Sequence, residues 1–416
     1  MSSASETASV AWRSLSLVDE GDEVLLGDPR SGRFVAVPPV GGAVIRALQA
    51  GATVDQATAV AEDLAGEPID VPSFLAELQT LGIGGAEAVR PVRSAPIQQR
   101  RWVYGPGRAR ARPMFATPAW ILYGVAFAFS VECLVLRPDL WPSPHDVFIV
   151  DDVGASALLL MVMNLAGAAL HEGWHWLAAR AAGVPARFGV DRRWNFLVVE
   201  TDLSQVWTLP RRQRYGPLLA GMAVDSTVLA VLLASQLTAR IGIWEPPDVV
   251  ARVTAAVVFL VVSGMAWQFL VFFRTDLYAV LVVATGCRNL WRVKTLLLRR
   301  AVGRLTPEEA IELADASPRD LHVGQWFRWV WLLGFAAVVG WFVLFSLPIL
   351  VTVLPWIGAG LGAGPQDMRF WSAVACIPLV LIARLTVVGL VLRDLGKRLS
   401  EAKRPQHLPE EAKTPR

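Results

Sequence analysis

A chain of 416 residues is long enough for more than one domain. Hydrophobic residues make up 54% and charged ones only 18%, which excludes an ordinary soluble composition and points to a membrane protein. The formal charge of +3 is small and gives no reason to expect a nucleic-acid partner. Three scattered cysteines, Cys133, Cys287 and Cys376, lack metal or redox spacing and suggest no disulfide framework.

The first residues, MSSASETASVAWRS, lack the basic start and apolar core of a signal peptide, so the first domain is expected in the cytoplasm. Residues 12–86 then read as a small soluble α+β domain. Short strands are expected at 14–18, 23–26 and 33–37, separated by turns at Asp19-Glu20-Gly21 and at 28–32. Three helices follow. The first covers about 41–49 and stops at Gly51. The second is capped by Thr53, with Gln56 reaching back, and ends at Gly66. The third starts near Asp70, carries Pro72 in its first turn, presents Phe74, Leu78 and Leu81 on one side, and ends at Gly82. Residues 87–114 form a linker, broken by Pro91, Pro96, Pro106 and Pro113 and made basic by Arg100, Arg101, Arg108, Arg110 and Arg112.

Residues 115–395 alternate apolar runs with charged loops. Six transmembrane helices are expected, at about 116–136, 154–178, 215–239, 250–273, 326–354 and 370–392, each long enough to cross roughly 30 Å of hydrocarbon. A shorter apolar piece covers 277–286. Many of the 17 Trp lie near the ends of these runs, among them Trp120, Trp141, Trp207, Trp244, Trp326 and Trp371, as rings at a membrane boundary do. The linker, the 180–214 and 274–325 loops and the 396–416 tail are basic, whereas the alternate loops hold few basic residues. Both termini are therefore expected in the cytoplasm of a multi-pass protein of the bacterial inner membrane.

The second run carries His171-Glu172-Gly173-Trp174-His175. On a helix, residues four apart share a face, so both imidazoles can hold one zinc ion per chain while Glu172 lies beside it as the catalytic base. The chain has only five His, and polar groups in an apolar helix are costly enough to be functional by default. A third ligand is needed. No other His is suitably placed, so the candidates are acids: Asp276 at the end of the fourth run, Asp225 within the third, and Asp202 in the loop before it. Glu132 and Arg384 read as structural or snorkelling groups. The stretch VDRRWNFLVVETDL (190–203) could offer a strand edge to an unwound substrate, with Asp202 a possible contact.

The stretches HEGWHWLAARAAGVPARFG, TDLSQVWTLPRRQRYGPLLAGMAVD and FFRTDLYAVL resemble the site-2 protease family of intramembrane zinc metalloproteases, especially its peptide zinc metalloprotease branch. In that family the third ligand is an Asp in an Asn-Pro…Asp-Gly-type motif, which the resemblance carries to Asp276. The Asn-Pro is absent here, Leu277 replaces the Gly, and Trp174 stands where a Gly usually precedes the second His. Residues 12–86, with their strands, their Gly-containing first helix and FLAELQTLGIG, look like a winged-helix PqqD-like module that recognises leader peptides. The resemblance implies that a leader adds as a strand at Phe34, Val35, Ala36 and Val37. The pairing of the two parts is similar to leader-removing membrane proteases of ribosomal peptide pathways, including daptide biosynthesis.

The function expected is therefore a membrane zinc peptidase that binds a precursor peptide and cuts its leader near the cytoplasmic face. Two alternatives remain: an enzyme that cuts a transmembrane regulator such as an anti-sigma factor, and a non-catalytic membrane protein for peptide binding or immunity.

Overall fold

The computed structural model describes residues 12–84, 102–103 and 108–378, apart from 13, 22, 29–32, 194–195, 272–273, 342 and 345–346. Most of the expected linker, most of the sixth run and the 396–416 tail lie outside the described residues. The chain divides into two compact units. One comprises Met1–Pro142, Asn164–Pro246 and Val257–Val339, and the other Ser143–Met163, Pro247–Ala256 and Gly340–Arg416.

The first unit opens with an antiparallel sheet of β1 (Ser16–Asp19), β2 (Val24–Asp28) and β3 (Arg33–Val37), in that order, which leaves β3 at an edge. Leu26 faces Leu17 on one side and Val35 on the other. Three helices cover the sheet: α1 (Pro39–Gln49), α2 (Val54–Ala65) and α3 (Val71–Thr80). A Cβ on Gly42 would lie 2.6 Å from Val24 Cγ2, so this glycine lets α1 settle on β2. Thr53 and Gln56 form the expected capping box, and Gly66 ends α2 in the left-handed conformation. Asp70 caps α3 by accepting from Ser73 N. The buried face of α3 is Val71, Leu75 and Leu78; Leu81 is exposed, contrary to its expected place on that face. The cause is the helix end: Gly82 (φ +77) turns the chain, Ile83 N donates to Leu78 O, and Ile83 takes the buried position that Leu81 would have filled. Trp12, Leu26, Ile45, Val71 and Ile83 lie in one core.

Among the described residues, four further helices are long and apolar enough to cross a membrane: α4 (Thr117–Leu136), α5 (Val153–Ala182), α6 (Arg211–Arg240) and α7 (Asp248–Gln268). They coincide with the first four expected runs. Within the first unit α6 packs on both α4 and α8 (Asp276–Thr285), and half of its apolar stretch is buried. Cys133, Met222, Leu229, Leu233, Val258 and Met265 form the apolar core there. The head is joined to this body by ion pairs of Glu20 with Arg214 at 2.5 Å and of Glu23 with Arg288. The amphipathic α9 (Leu290–Ala301) and the short α10 (Pro307–Ala314) pack through Val293, Leu296, Leu297 and Leu313. Buried Lys294 lies 4.0 Å from the Trp291 ring; burial, aided by the Arg274 guanidinium, holds its ammonium below the ordinary lysine pKa.

Six spans are not confirmed. In the fifth run, 326–354, the described helices are α11 (Pro318–Trp341) and α12 (Leu347–Gly362), the second with Pro348 in its first turn, where its missing N–H has no helical partner to lose. The second unit has its own core of Val353, Ile357 and Cys376 with Val153 and Trp356.

Between α5 and α6 the expected strand edge is a hairpin, β5 (Arg187–Arg193) and β6 (Phe196–Asp202). The linker contributes to it: β4 (Trp102–Val103) pairs with β5, giving the order β4-β5-β6 and leaving β6 at an edge.

Truncating fully buried Leu26 to Ala is expected to destabilise the head by about 2–5 kcal/mol. Hydrogen exchange in the full chain should then quicken across residues 16–83 while amides of α6 keep their protection.

Candidate metal centre

The site forms on α5 because His171 and His175 are one helical turn apart and project from one face. Their Nε2 atoms are 3.1 Å apart. Asp276, the first residue of α8, places Oδ2 3.0 Å from His171 Nε2 and 3.1 Å from His175 Nε2. These three side chains form a group that could hold a metal ion. Asp276 is itself fixed by the end of α7: its N–H donates to Gln268 Oε1, and Thr275 Oγ1 donates to Gln268 O at 2.7 Å. Arg274 has φ +58, a conformation costly for a residue with a Cβ, and its guanidinium lies 4.9 Å from the Trp291 ring.

The far side of each imidazole decides what the near side can do. His171 Nδ1 lies 2.7 Å from Asp225 Oδ2, and His175 Nδ1 lies 2.7 Å from Pro217 O. A carboxylate and a carbonyl only accept, so each neutral ring carries its proton on Nδ1. Both Nε2 lone pairs then converge on a carboxylate oxygen with no proton between them. Three acceptors this close repel unless a cation sits among them, and the donor set therefore fits a metal. Asp225 thus stands behind His171, and Asp276 completes the group that could hold a metal ion. Asp202 is not drawn into it; its Oδ1 accepts from Ser204 N, and the carboxylate pairs with Arg187 at 3.3 Å.

Glu172 is held by the hairpin. Thr201 N donates to Glu172 Oε2 at 3.0 Å, and Thr201 Oγ1 donates to Glu172 O at 2.6 Å. The Thr201 N–H therefore points away from β5, and by strand alternation the outward-facing backbone groups of β6 recur at every second residue. Trp174 Nε1 donates to Tyr123 Oη at 3.2 Å, which fixes the motif helix to α4.

Thr201, Gly221 and Pro217 escape sequence reasoning. A Cβ on Gly221 would lie 2.3 Å from His171 Nε2 and 2.5 Å from His175 Nε2, so α6 can pass the histidines only with glycine there. The one signal was a glycine four residues after a proline inside an apolar run. In the head, Val35 and Val37 turn towards the core while Phe34 and Ala36 line a cavity of about 290 Å³ with Trp207, Arg211 and Val283.

Comparison with known protein families, with curated proteins and with solved structures finds no match.

Asp276→Ala and Gly221→Ala are each expected to abolish stoichiometric binding of a divalent metal. Asp225→Asn, which removes only the orienting charge, should weaken it about 10–100-fold. Elemental analysis after equilibrium dialysis checks the order; equal retention in Asp276→Ala and wild type would exclude this ligand set.

Proposed function

We propose that this protein is a membrane zinc metallopeptidase of site-2 protease type, which removes the leader of a ribosomally made precursor peptide. The observation that carries the reading is the convergence of His171 and His175, on a membrane-length helix, with Asp276 of α8, and the Glu172 carboxylate on the residue after His171. Two imidazoles and one carboxylate suit zinc, and three protein ligands leave a position open, as catalytic zinc sites do. Zinc held there supplies Lewis acidity, polarising a scissile carbonyl and acidifying a water. Glu172 accepts the proton of that water as its oxygen bonds to the carbonyl carbon. The same carboxyl returns the proton to the departing amine nitrogen as the C–N bond breaks. Thr201 aims the Glu172 carboxylate through the two bonds described above.

The outer edge of β6, which pairs with no further strand among the described residues, supports a substrate that unwinds and pairs beside Glu172, since main-chain hydrogen bonding is independent of sequence. The head supports the choice of substrate. Its β3 is an edge strand, and the outward side chains Phe34 and Ala36 face a cavity that could take the side chains of an added leader strand. The basic loops support an inner-membrane orientation with both termini, the head and the site on the cytoplasmic side, where a precursor peptide is made.

Glu172→Gln is expected to keep one zinc per chain and lose cleavage altogether. Thr201→Val, which retains the N–H and loses the hydroxyl, should lower kcat about five- to tenfold with little change in KM, and Thr201→Ser should restore it. The substrate for these assays would be a short precursor peptide sought among the neighbouring genes. Full cleavage by Glu172→Gln would reject the mechanism.

Leader capture has its own test. Titration calorimetry of the full Glu172→Gln chain with the precursor's leader should give micromolar binding that Ala36→Pro removes. A leader that binds neither form would favour a transmembrane regulator as substrate.

A further inference from the structure

A second cavity, of about 600 Å³, lies where residues 112–120, the last turn of α5 and the first turns of α6 meet; none of His171, His175 and Asp276 lines it, although Pro217, whose carbonyl bonds His175, does. Two guanidiniums, Arg112 and Arg212, reach it from different elements. Both side chains are exposed, and neither has an ion-pair partner among the described residues. Their neighbours are engaged. Arg211 donates to Val283 O and Ala284 O, and Arg214 donates to Leu209 O and Trp207 O and pairs with Glu20. Of the three arginines that open α6, Arg211 is held by carbonyls and Arg214 by carbonyls and Glu20, whereas Arg212, which lines this cavity, has no such partner among the described residues.

Beside the arginines the wall holds two further polar residues, Thr117 and Gln213, and is otherwise apolar or aromatic, with Phe115, Trp120 and Tyr215 beside small alanines of α5. The cavity also sits at a defined depth. Helix α4 begins at Thr117, α5 ends at Ala182 and α6 begins at Arg211, so three membrane-length helices share this end. Aromatic rings and arginines together mark a membrane–water boundary. Just past the mouth, α4 presents Ile121, Leu122 and Val125, each at least 60% exposed. Positive charge, an aromatic rim and an uncovered apolar strip in sequence match one ligand from end to end.

We propose that this cavity binds the headgroup of an anionic phospholipid, its phosphate between Arg112 and Arg212 and its acyl chains along α4. Basic pockets at the ends of membrane helices take such headgroups, and guanidinium suits phosphate through paired donors. A free phosphate would use the arginines and leave the apolar strip without purpose. A peptide would leave most of its backbone groups unpaired against these walls. Binding does not depend on the peptidase reading. It would nonetheless brace the motif helix, because Phe115 lies 6.5 Å from both Trp120 and Trp174, and Trp174 precedes His175.

The test uses the full chain in detergent, equilibrated with equimolar phosphatidylglycerol and phosphatidylcholine, washed, and assayed for retained lipid by mass spectrometry. Wild type should retain phosphatidylglycerol stoichiometrically and exclude phosphatidylcholine. Arg112→Gln with Arg212→Gln should weaken retention about twenty-five-fold, two basic contacts at about fivefold each. Arg112→Lys with Arg212→Lys, which keeps the charge and loses the paired donors, should fall between wild type and the glutamine pair, which separates lost charge from lost fold. Undiminished retention in the glutamine pair, or equal retention of the two lipids, would overturn the proposal. Release of phosphatidylglycerol by inorganic phosphate would also overturn it and assign the arginines to a soluble phosphate ligand.

Discussion

Two imidazole lone pairs and a carboxylate oxygen meet within about 3 Å inside an apolar helix packing, and the surrounding chain is arranged around that meeting. The arrangement is costly without a cation, because both ring protons are committed elsewhere, to Asp225 and to the Pro217 carbonyl. Helix α6 supplies both of these partners and also the glycine that makes room for the rings. It is therefore the mould of the site, although it contributes no ligand. Its central packing between α4 and α8 follows from the same demand, since a mould must not move relative to what it shapes.

The third donor is held by a different device. Asp276 is the first residue of α8, and its carboxylate would swing with any movement of the turn between α7 and α8. Gln268 closes that turn by accepting from Asp276 N and, through its own carbonyl, from Thr275 Oγ1. Arg274 accepts an unfavourable backbone conformation in the middle, offset by its contact with Trp291. Strain of this kind is tolerated where the surrounding contacts over-determine it, and here it lies two residues from a metal-binding group.

How much of this was legible follows from what kind of contact each residue makes. His171, Glu172 and His175 were visible because one helix fixes their mutual geometry. Asp276 was visible as an acid at the right end of an apolar run, but spacing alone left Asp225 and Asp202 beside it. Only the tertiary packing puts Asp225 behind His171. Gly221 acts by leaving space, and absent atoms carry no chemical signature. Thr201 acts partly through its main-chain N–H, which every residue but proline possesses. In the head, caps and strands were readable because Thr53, Gln56, Asp70 and Gly66 act on their own neighbours. Leu81 failed because the Gly82 turn moved the apolar role to Ile83.

The relation of head to site is the last consequence of these contacts. The same short stretch, Trp207 to Arg214, does three things. Its Trp207 and Arg211 line the cavity under β3, its Arg214 pairs with Glu20 of the head, and its Arg211 holds the C-terminal carbonyls of α8. Asp276 is the first residue of that same α8. Ten residues of helix span about 15 Å, or the length of four to five residues of extended chain. A chain gripped at β3 would thus have only a short extended path to the histidines, with one end of α8 under the head and the other in the metal group. The ion pair of Glu20 with buried Arg214 then matters for more than holding two parts together: it sets the distance between the place where a peptide could be held and the place where it could be cut.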